Sequence, residues 1–520
     1  MSRLLKWSKR LIIVATVFAA LVVIARLLFP LPILDGRNDS YALAPSETTH
    51  LGSLALADSE NYPGKSGVFP LFDGAEAYGA RILMARAAQA SIDVRYYIWK
   101  RDLTGLPLLQ ELRAAAQRGV RVRLLVDDNG TPDLDIELAA LNTLKNMEVR
   151  VFNPFNLRNP RAVSYLFDFP RLNRRMHNKS FTVDSAATIV GGRNVGDNYF
   201  SRNAETQFSD FDLLLTAQAA VDAGVDFDHY WNSRSAYPHE LLMEPTADGL
   251  STLDIAVAEA RAAPGWDAYK AEIRNSELIT SIMAKNLVLE WAHVTLLSDD
   301  PAKGLGSIDD SRLLIASLSK IISEAKESID LISAYFIPGD IGTDLLTSAA
   351  RKGLSIRTLT NSLSATDVLP VHAGYLRYRD KLIDAGVEVY ELKDTQSPTQ
   401  ADALGLFGSS ASSLHAKSVA IDAKRLFVGS FNFDPRSTYL NCEMGFLVES
   451  ETLAGQLRDR LENNLDEYAW HVRRNQNGKL QWDTIDDEGN LQTETKEPGS
   501  SFTARIFLHL IATLPVEWML

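Results

Sequence analysis

Cysteine is almost missing from this chain. Cys442 is the only one in 520 residues, so no disulfide can form within one chain, and its ordinary reading is a small buried thiol. Histidine is scarce too, with nine in the chain, and no His/Cys cluster occurs at metal-ligand spacing. No Walker-type loop and no Gly-x-Ser-x-Gly elbow is present. Positive charge is in deficit: 53 Lys and Arg face 66 Asp and Glu, a formal net charge of −13. That balance argues against a general nucleic-acid binder, whose affinity comes from cations neutralising phosphates, and leaves room for one local basic pocket. With 46% hydrophobic and 23% charged residues, the composition is globular.

Long apolar runs are lacking except at the start. MSRLLKWSKR carries four cations and no acid, and precedes fifteen uncharged, mostly apolar residues, 11–25. With Arg26 snorkelling at its edge and LLFPLPIL beyond, the stretch is long enough to span a bilayer. Cations before it and Asp35, Asp39 and Glu47 after it predict a cytoplasmic N-terminus with the body on the far side. A small-x-small site, Ala42-Leu43-Ala44, lies too far past the run to favour a cleaved signal. The other end, FTARIFLHLIATLPVEWML, is apolar but broken by Pro515, which predicts docking on the body or at a membrane interface.

The chain is too long for one ordinary core, and it repeats itself. Residues 91–128 and 328–361 each read as a β-rich run opening on SID, a loop, an amphipathic helix ending at Gly119 or Gly353, and a second β-rich run. A further helix and strand follow each copy. Strands alternating with helices predict an α/β fold with two α-β-α sandwich lobes. The expected organisation is an anchor at 1–34, a linker at 35–65, lobes at 66–244 and 311–475, a helix-rich connection at 245–310, and a tail at 476–520.

The repeat is sharpest in two stretches. HNKSFTVDSAATIVGGRN starts at His177 and HAKSVAIDAKRLFVGSFN at His415; in both, Lys is at +2, Asp at +7, Gly at +14 and Asn at +17. On a strand, His177 and Lys179 share one face, about 7 Å apart, while Asp184 falls on the other; His415, Lys417 and Asp422 repeat this. An imidazole beside an ammonium is a poor pairing unless an anion sits between them, and a phosphate does so well. Two histidines from two lobes can divide the work, one attacking phosphorus and the other protonating the leaving oxygen. The attacking ring needs its other nitrogen held. Asp184 and Asp422 face away and read as structural. Asp210 and Glu443, which enter the next β-rich run 33 and 28 residues after the histidine of their own lobe, are the candidates, with Asp212 the alternative to Asp210. Asn194 and Asn432 read as phosphate contacts and Gly191 and Gly429 as backbone positions. His372 is a further candidate for the lining, and Asp127 and Asp128 read as turn residues.

The doubled HxK(x4)D with its trailing GGxN or GSxN resembles the phospholipase D superfamily, over roughly residues 66–475. RRMHNKSFTVD, VGGRNVGDNYF, SDFDLL, VHAGYLRYRDKLIDAGVEVYE and GSFNFDPRS are most similar to the bacterial cardiolipin synthases of the C type. The resemblance implies two pseudo-symmetric lobes with mixed sheets, a site at their interface, and a two-step transfer through phosphohistidine without cofactor or metal. By that likeness His177 is the nucleophile and His415 the general acid and base. Lys179, Lys417, Asn194 and Asn432 bind phosphoryl oxygens, and Asp210 and Glu443 orient the histidines. Anionic and zwitterionic phospholipids would be the substrates, the bacterial inner membrane the location with the body in the periplasm, and no dimer would be required. The better-known cardiolipin synthases commonly carry two N-terminal spans, whereas this chain has one short candidate. A hydrolytic phospholipase D, using water as acceptor, and a nuclease of the superfamily are the alternative readings.

Overall fold

The computed structural model describes residues 2–202, 207–394, 412–486, 488–500, 508 and 517–520. The first half holds strands β1 (Ser66–Leu71), β2 (Ser91–Ile98), β3 (Arg121–Gly130), β4 (Met147–Phe152), β5 (Ser180–Val183), β6 (Ala187–Gly191), β7 (Gln207–Ser209), β8 (Asp212–Thr216) and β9 (Ala236–Pro238). The second holds β10 (Glu290–Ser298), β11 (Ser328–Ser333), β12 (Ser355–Asn361), β13 (Glu388–Leu392), β14 (Ser412–Leu414), β15 (Lys417–Ile421), β16 (Arg425–Gly429), β17 (Met444–Glu449), β18 (Ala469–Arg474), β19 (Leu480–Ile485) and β20 (Leu491–Glu494). In space the first sheet runs β9-β4-β3-β2-β5-β6-β8-β1. The second runs β10-β17-β16-β15-β11-β12-β13-β18-β19-β20. Both are mixed: β2-β3-β4 and β11-β12-β13 are parallel, and the strand that follows each motif histidine, β5 or β15, adds antiparallel. The expected pair of α/β lobes is present.

Alternation explains the layers. Ile92, Val94 and Tyr96 of β2 face a core shared with helices Gly74–Ala87, Gly105–Gln117 and Asp135–Leu141. The intervening Asp93 and Arg95 face helix Gln218–Trp231. There Arg95 pairs with Asp226, while Arg123 bridges Asp93 (2.6 Å) and Asp228 (2.7 Å). The second lobe repeats the plan. Ile329 and Leu331 face helices Leu314–Ser323, Gly339–Arg351 and Leu369–Asp384, and Asp330 meets Arg357 (3.5 Å), which reaches Glu462 of helix Glu451–Tyr468 (3.4 Å). Breaking such a buried pair by removing one partner costs about 3–5 kcal/mol.

The lobes meet along their strand edges. β1 and β10 pair antiparallel, Ser66 opposite Ala292 and Val68 opposite Glu290, so the two sheets form one 18-stranded sheet. β7 and β14 make a second, two-stranded parallel ribbon across the interface. Between them lies an apolar core drawn from both lobes, including Val190, Leu213, Leu215, Ala420, Val428 and Phe446. The connection at 245–310 is helical at first, Gly249–Ala262, Trp266–Asn275 and Glu277–Ala284. The helix-rich reading of the connection, which takes in LVLEWA, is corrected at that run: the last helix ends at Lys285 in left-handed backbone, and the run enters β10, which fills the place between the edges of β1 and β17. The second sheet also continues past 475 into β19 and β20.

Helix Ser2–Leu28 contains Trp7–Leu28, long and apolar enough to cross a membrane and not buried against the body. Of the C-terminal tail, residues 501–507 and 509–516 lie outside the described residues; Glu517 meets Arg377 and Tyr378, and Leu520 accepts from Arg436 N–H (2.8 Å), so its last residues dock on the second lobe.

Asp184 and Asp422 open three-residue turns, β5 to β6 and β15 to β16, at φ +51° and +55°. Each carboxylate accepts backbone N–H groups leading into the central strand: Gln89, Ala90 and Ser91 for Asp184, and Lys326, Glu327 and Ser328 for Asp422. Asp184→Ala leaves those donors without their charged acceptor. It is expected to cost about 2–3 kcal/mol in urea unfolding, and an unchanged midpoint would contradict the assignment.

Candidate active site

His177 and Lys179 stand just before β5; His415 lies in the gap between β14 and β15, and Lys417 opens β15. The strand reading of the two histidines is therefore corrected: His177 precedes β5 by three residues and His415 precedes β15 by two. Their backbones instead pair across the interface. His177 N–H donates to Cys442 O (2.8 Å), and both His415 N–H (2.8 Å) and Ala416 N–H (2.9 Å) donate to Ser209 O. Each motif is thereby held against the segment that carries the other lobe's acid.

The side chains follow the backbone. His177 Nδ1 meets Glu443 Oε2 at 2.8 Å, and His415 Nδ1 meets Asp210 Oδ2 at 2.5 Å. The expectation that each acid serves the histidine of its own lobe is corrected: the partners are exchanged. Offsets along the chain cannot reveal this, because β7-β14 and the Met176–Cys442 bridge bring the opposite lobe nearer. Asp212 is elsewhere, bonded to Arg81 at 2.8 Å. His372 bonds Glu497 (2.8 Å), which Arg379 also holds (2.8 Å), so it ties down the C-terminal segment instead of lining the site.

Both acids are fully enclosed. Glu443 accepts from Ser430 Oγ (2.5 Å) and Ser437 Oγ (2.9 Å), and Asp210 Oδ1 accepts from Phe211 N–H (2.8 Å). Gly192 occupies the place that Ser430 takes in the second copy. A Cβ there would lie 2.2 Å from Asp210 Oδ1, so the shorter acid needs a glycine beside it. Gly429 approaches Met444 O in the same way, 2.3 Å from where its Cβ would be.

Each lysine ammonium donates to the carbonyl of the histidine two residues earlier, Lys179 to His177 O at 2.5 Å and Lys417 to His415 O. Both are buried, and each opposes charge on the other lobe's histidine, which places the four groups in one electrostatic neighbourhood. Burial, with the two lysines, pushes His177 down to about 4 and His415 down to about 3 despite their carboxylates. Burial also lowers both lysines, Lys179 to about 7 with the Lys417 ammonium adding to it. Burial alone would raise the two acids, but His415 and Lys417 hold Asp210 low, and His177, Lys179 and Ser430 hold Glu443 low. Two neutral imidazoles, two buried ammoniums and two carboxylates leave the cluster without net charge, so an entering anion can be matched by a proton on one imidazole.

Asn194 Oδ1 accepts Ile98 N–H (3.1 Å) and its side chain also meets the Tyr199 hydroxyl; Asn432 N–H bonds Ser437 Oγ, and Asn432 Oδ1 is left over. Aromatic edges wall both rings: Tyr97 lies 5.1 Å from His177, and Tyr199 and Phe208 lie 5.2 and 5.1 Å from His415. Sequence reasoning gives no sign of these and assigns Asp127 to a turn. That carboxylate is more than a turn residue: it accepts from Met176 N–H (2.9 Å) and Arg175 (3.1 Å), fixing the approach to His177. The VDD spacing alone carried no sign of it.

A duplicated α/β lobe with paired His-Lys motifs meeting at one buried site defines a phospholipase D-like enzyme. The chain belongs to the family described as "Cardiolipin synthase, PLD-like domain", which it matches over residues 82–231 and 318–465. It is 45% identical to cardiolipin synthase C of Escherichia coli K12 over 474 residues, 90% of this chain and 99% of that one. It is 26% identical to cardiolipin synthase 2 of Staphylococcus epidermidis, over 76% of this chain and 67% of that one. In fold it is similar to the phosphatidylserine synthase of Haemophilus influenzae, with a TM-score of 0.58 and 14% identity over 90% of this chain and 99% of that one.

The depressed histidines make stability depend on pH. Between about pH 6.5 and 4 the unfolded chain binds protons that the folded site refuses, so stability present above pH 6.5 is lost as pH falls through that window. Thermal melts are expected to drop more steeply over it for the parent than for a His177→Asn, His415→Asn double variant; parallel curves would contradict this.

Proposed function

We propose that this chain makes cardiolipin, transferring a phosphatidyl group from phosphatidylglycerol or phosphatidylethanolamine to the glycerol headgroup of phosphatidylglycerol. As a member of the cardiolipin synthase family it is a phosphatidyltransferase. The observation that carries the mechanism is the exchanged pair of Nδ1-carboxylate bonds, which leaves Nε2 of each imidazole for chemistry.

In the first step His177 Nε2 attacks phosphorus and the bond to the donor headgroup oxygen breaks. His415, protonated when the phosphodiester anion offsets the two lysines, gives its proton to the departing oxygen. In the second step neutral His415 takes the proton of the acceptor hydroxyl, whose oxygen attacks phosphorus and releases His177. Lys179, Lys417, Asn194 and Asn432 would hold the non-bridging oxygens, which carry more charge in each transition state. The steps as written require no cofactor, and both histidines come from one chain.

A lipid substrate is supported by the wall beside Asn432. Phe431 and Phe433 flank it in sequence and line a groove of about 680 Å³ with Ile315, Ile337, Ile341 and Tyr439, a surface suited to an acyl chain and not to a nucleotide. The N-terminal helix would anchor the enzyme, with the four cations at its start in the cytoplasm and the body in the periplasm.

Purified protein with phosphatidylglycerol vesicles, with and without phosphatidylethanolamine, is expected to form cardiolipin and release glycerol or ethanolamine. Phosphatidic acid as sole product would favour the hydrolytic reading. His177→Ala with products unchanged would overturn catalysis at this site. Glu443→Gln and Asp210→Asn are each expected to lower kcat about 10²–10⁴-fold with KM little changed, because each removes the hold on one imidazole.

A further inference from the structure

The short helix Tyr165–Leu172 lies where the N-terminal helix leaves off. Arg26 Nε donates to Phe167 O (2.7 Å) and its guanidinium pairs with Asp168 (3.5 Å). Phe29 packs on Phe167, ring centroids 6.2 Å apart, and its carbonyl accepts from Asn156 Nδ2 (3.0 Å). The helix buries Phe167 and Leu172, yet Leu166 is 66% exposed, Val163 39% and Phe169 38%. Three large apolar side chains thus face outward within a few residues, at the foot of an apolar helix that is itself unburied.

The rim of this patch is basic. Arg26, half exposed, and Arg174, which bonds the Pro170 carbonyl (2.5 Å), border it, and the single carboxylate of Asp168 is already held by the largely buried Arg171. The inner side leads to the site. Tyr165 OH donates to Asn129 Oδ1 (3.2 Å), Asn129 Nδ2 donates to Tyr97 OH (3.0 Å), and the Tyr97 ring edges His177.

We propose that residues 163–169 are a membrane-docking face: Val163, Leu166 and Phe169 insert among the headgroups of the bilayer that the N-terminal helix crosses, and the arginine rim meets anionic phospholipid phosphates. The inference rests on the reading of Trp7–Leu28 as a membrane span and goes beyond it, because a single span leaves the body free to rotate over the bilayer. An apolar patch with a cationic border is the chemistry of an interfacial element, which lies about 5–10 Å deep at the headgroup boundary. Fixed there, the Tyr97 side of the site faces the lipid surface from which a phospholipid enters.

Because Cys442 is fully buried, an added surface cysteine can be labelled selectively. The full chain is made with Leu166→Cys, with Leu21→Cys in the anchor, and with Leu491→Cys on the exposed β20. Each carries an environment-sensitive fluorophore and is placed in phosphatidylglycerol/phosphatidylcholine vesicles with or without nitroxide-bearing acyl chains. The probe at 21 is expected to be strongly quenched, and that at 166 to be quenched about twofold or more above that at 491. Quenching at 21 with 166 no different from 491 would overturn the docking face and leave the anchor standing. No quenching at 21 would overturn the anchor and the docking face with it.

Discussion

The structure turns on an exchange: each histidine is held by the acid of the other lobe. A buried carboxylate is tolerated only when it is bonded, and a buried imidazole keeps one tautomer only when something accepts from Nδ1. Here the two needs are met jointly, and only while the lobes are together. Parting them would leave Glu443 and Asp210 each without its imidazole in an apolar interface. The β1–β10 pairing, the β7–β14 ribbon and the apolar core between the sheets therefore do more than join two halves. They set the positions at which two separate pairs come within hydrogen-bonding distance.

The same enclosure explains the electrostatics. Two ammoniums, two imidazoles and two carboxylates occupy one dry region, and the balance is struck by making the imidazoles neutral and the ammoniums reluctant. Water would screen such a cluster and weaken every bond in it. In the proposed reaction a phosphodiester adds one negative charge, which a proton on His415 can balance, and the apolar groove lined by Phe431 and Phe433 suits a lipid's acyl chain.

Much of this was legible in the chain itself. The sidedness of the motif followed from strand alternation: Asp184 and Asp422, assigned away from the chemistry on that ground, accept backbone N–H groups at the far end of the strand. The lobes followed from SID repeating before a helix that ends at glycine, and the family from the doubled spacing. What could not be read were contacts closed by tertiary structure. The 33- and 28-residue offsets measured distance along the chain, whereas the pairing is set across the interface. Likewise LVLEWA has an apolar content that suits helix or strand equally, and only the open edges of β1 and β17 decide for β10.

In the proposed mechanism the duplication is not a symmetry of function, and the surroundings of the two acids are correspondingly unequal. Glu443 is fixed by two serine hydroxyls, Ser430 and Ser437, so its longer side chain is locked from both oxygens and His177 is aimed by a rigid partner. Asp210 is shorter, sits against Gly192, and takes a backbone N–H from Phe211; its histidine is enclosed by Tyr199 and Phe208. A nucleophile needs one trajectory, which suits the doubly bonded Glu443. A group that must take up and release a proton in successive steps needs two states of comparable energy, and His415 reaches its charged state only when a substrate anion is present. The unequal supports thus give the proposed division of labour a physical basis: His177 is oriented before substrate arrives, and His415 is made ready by it.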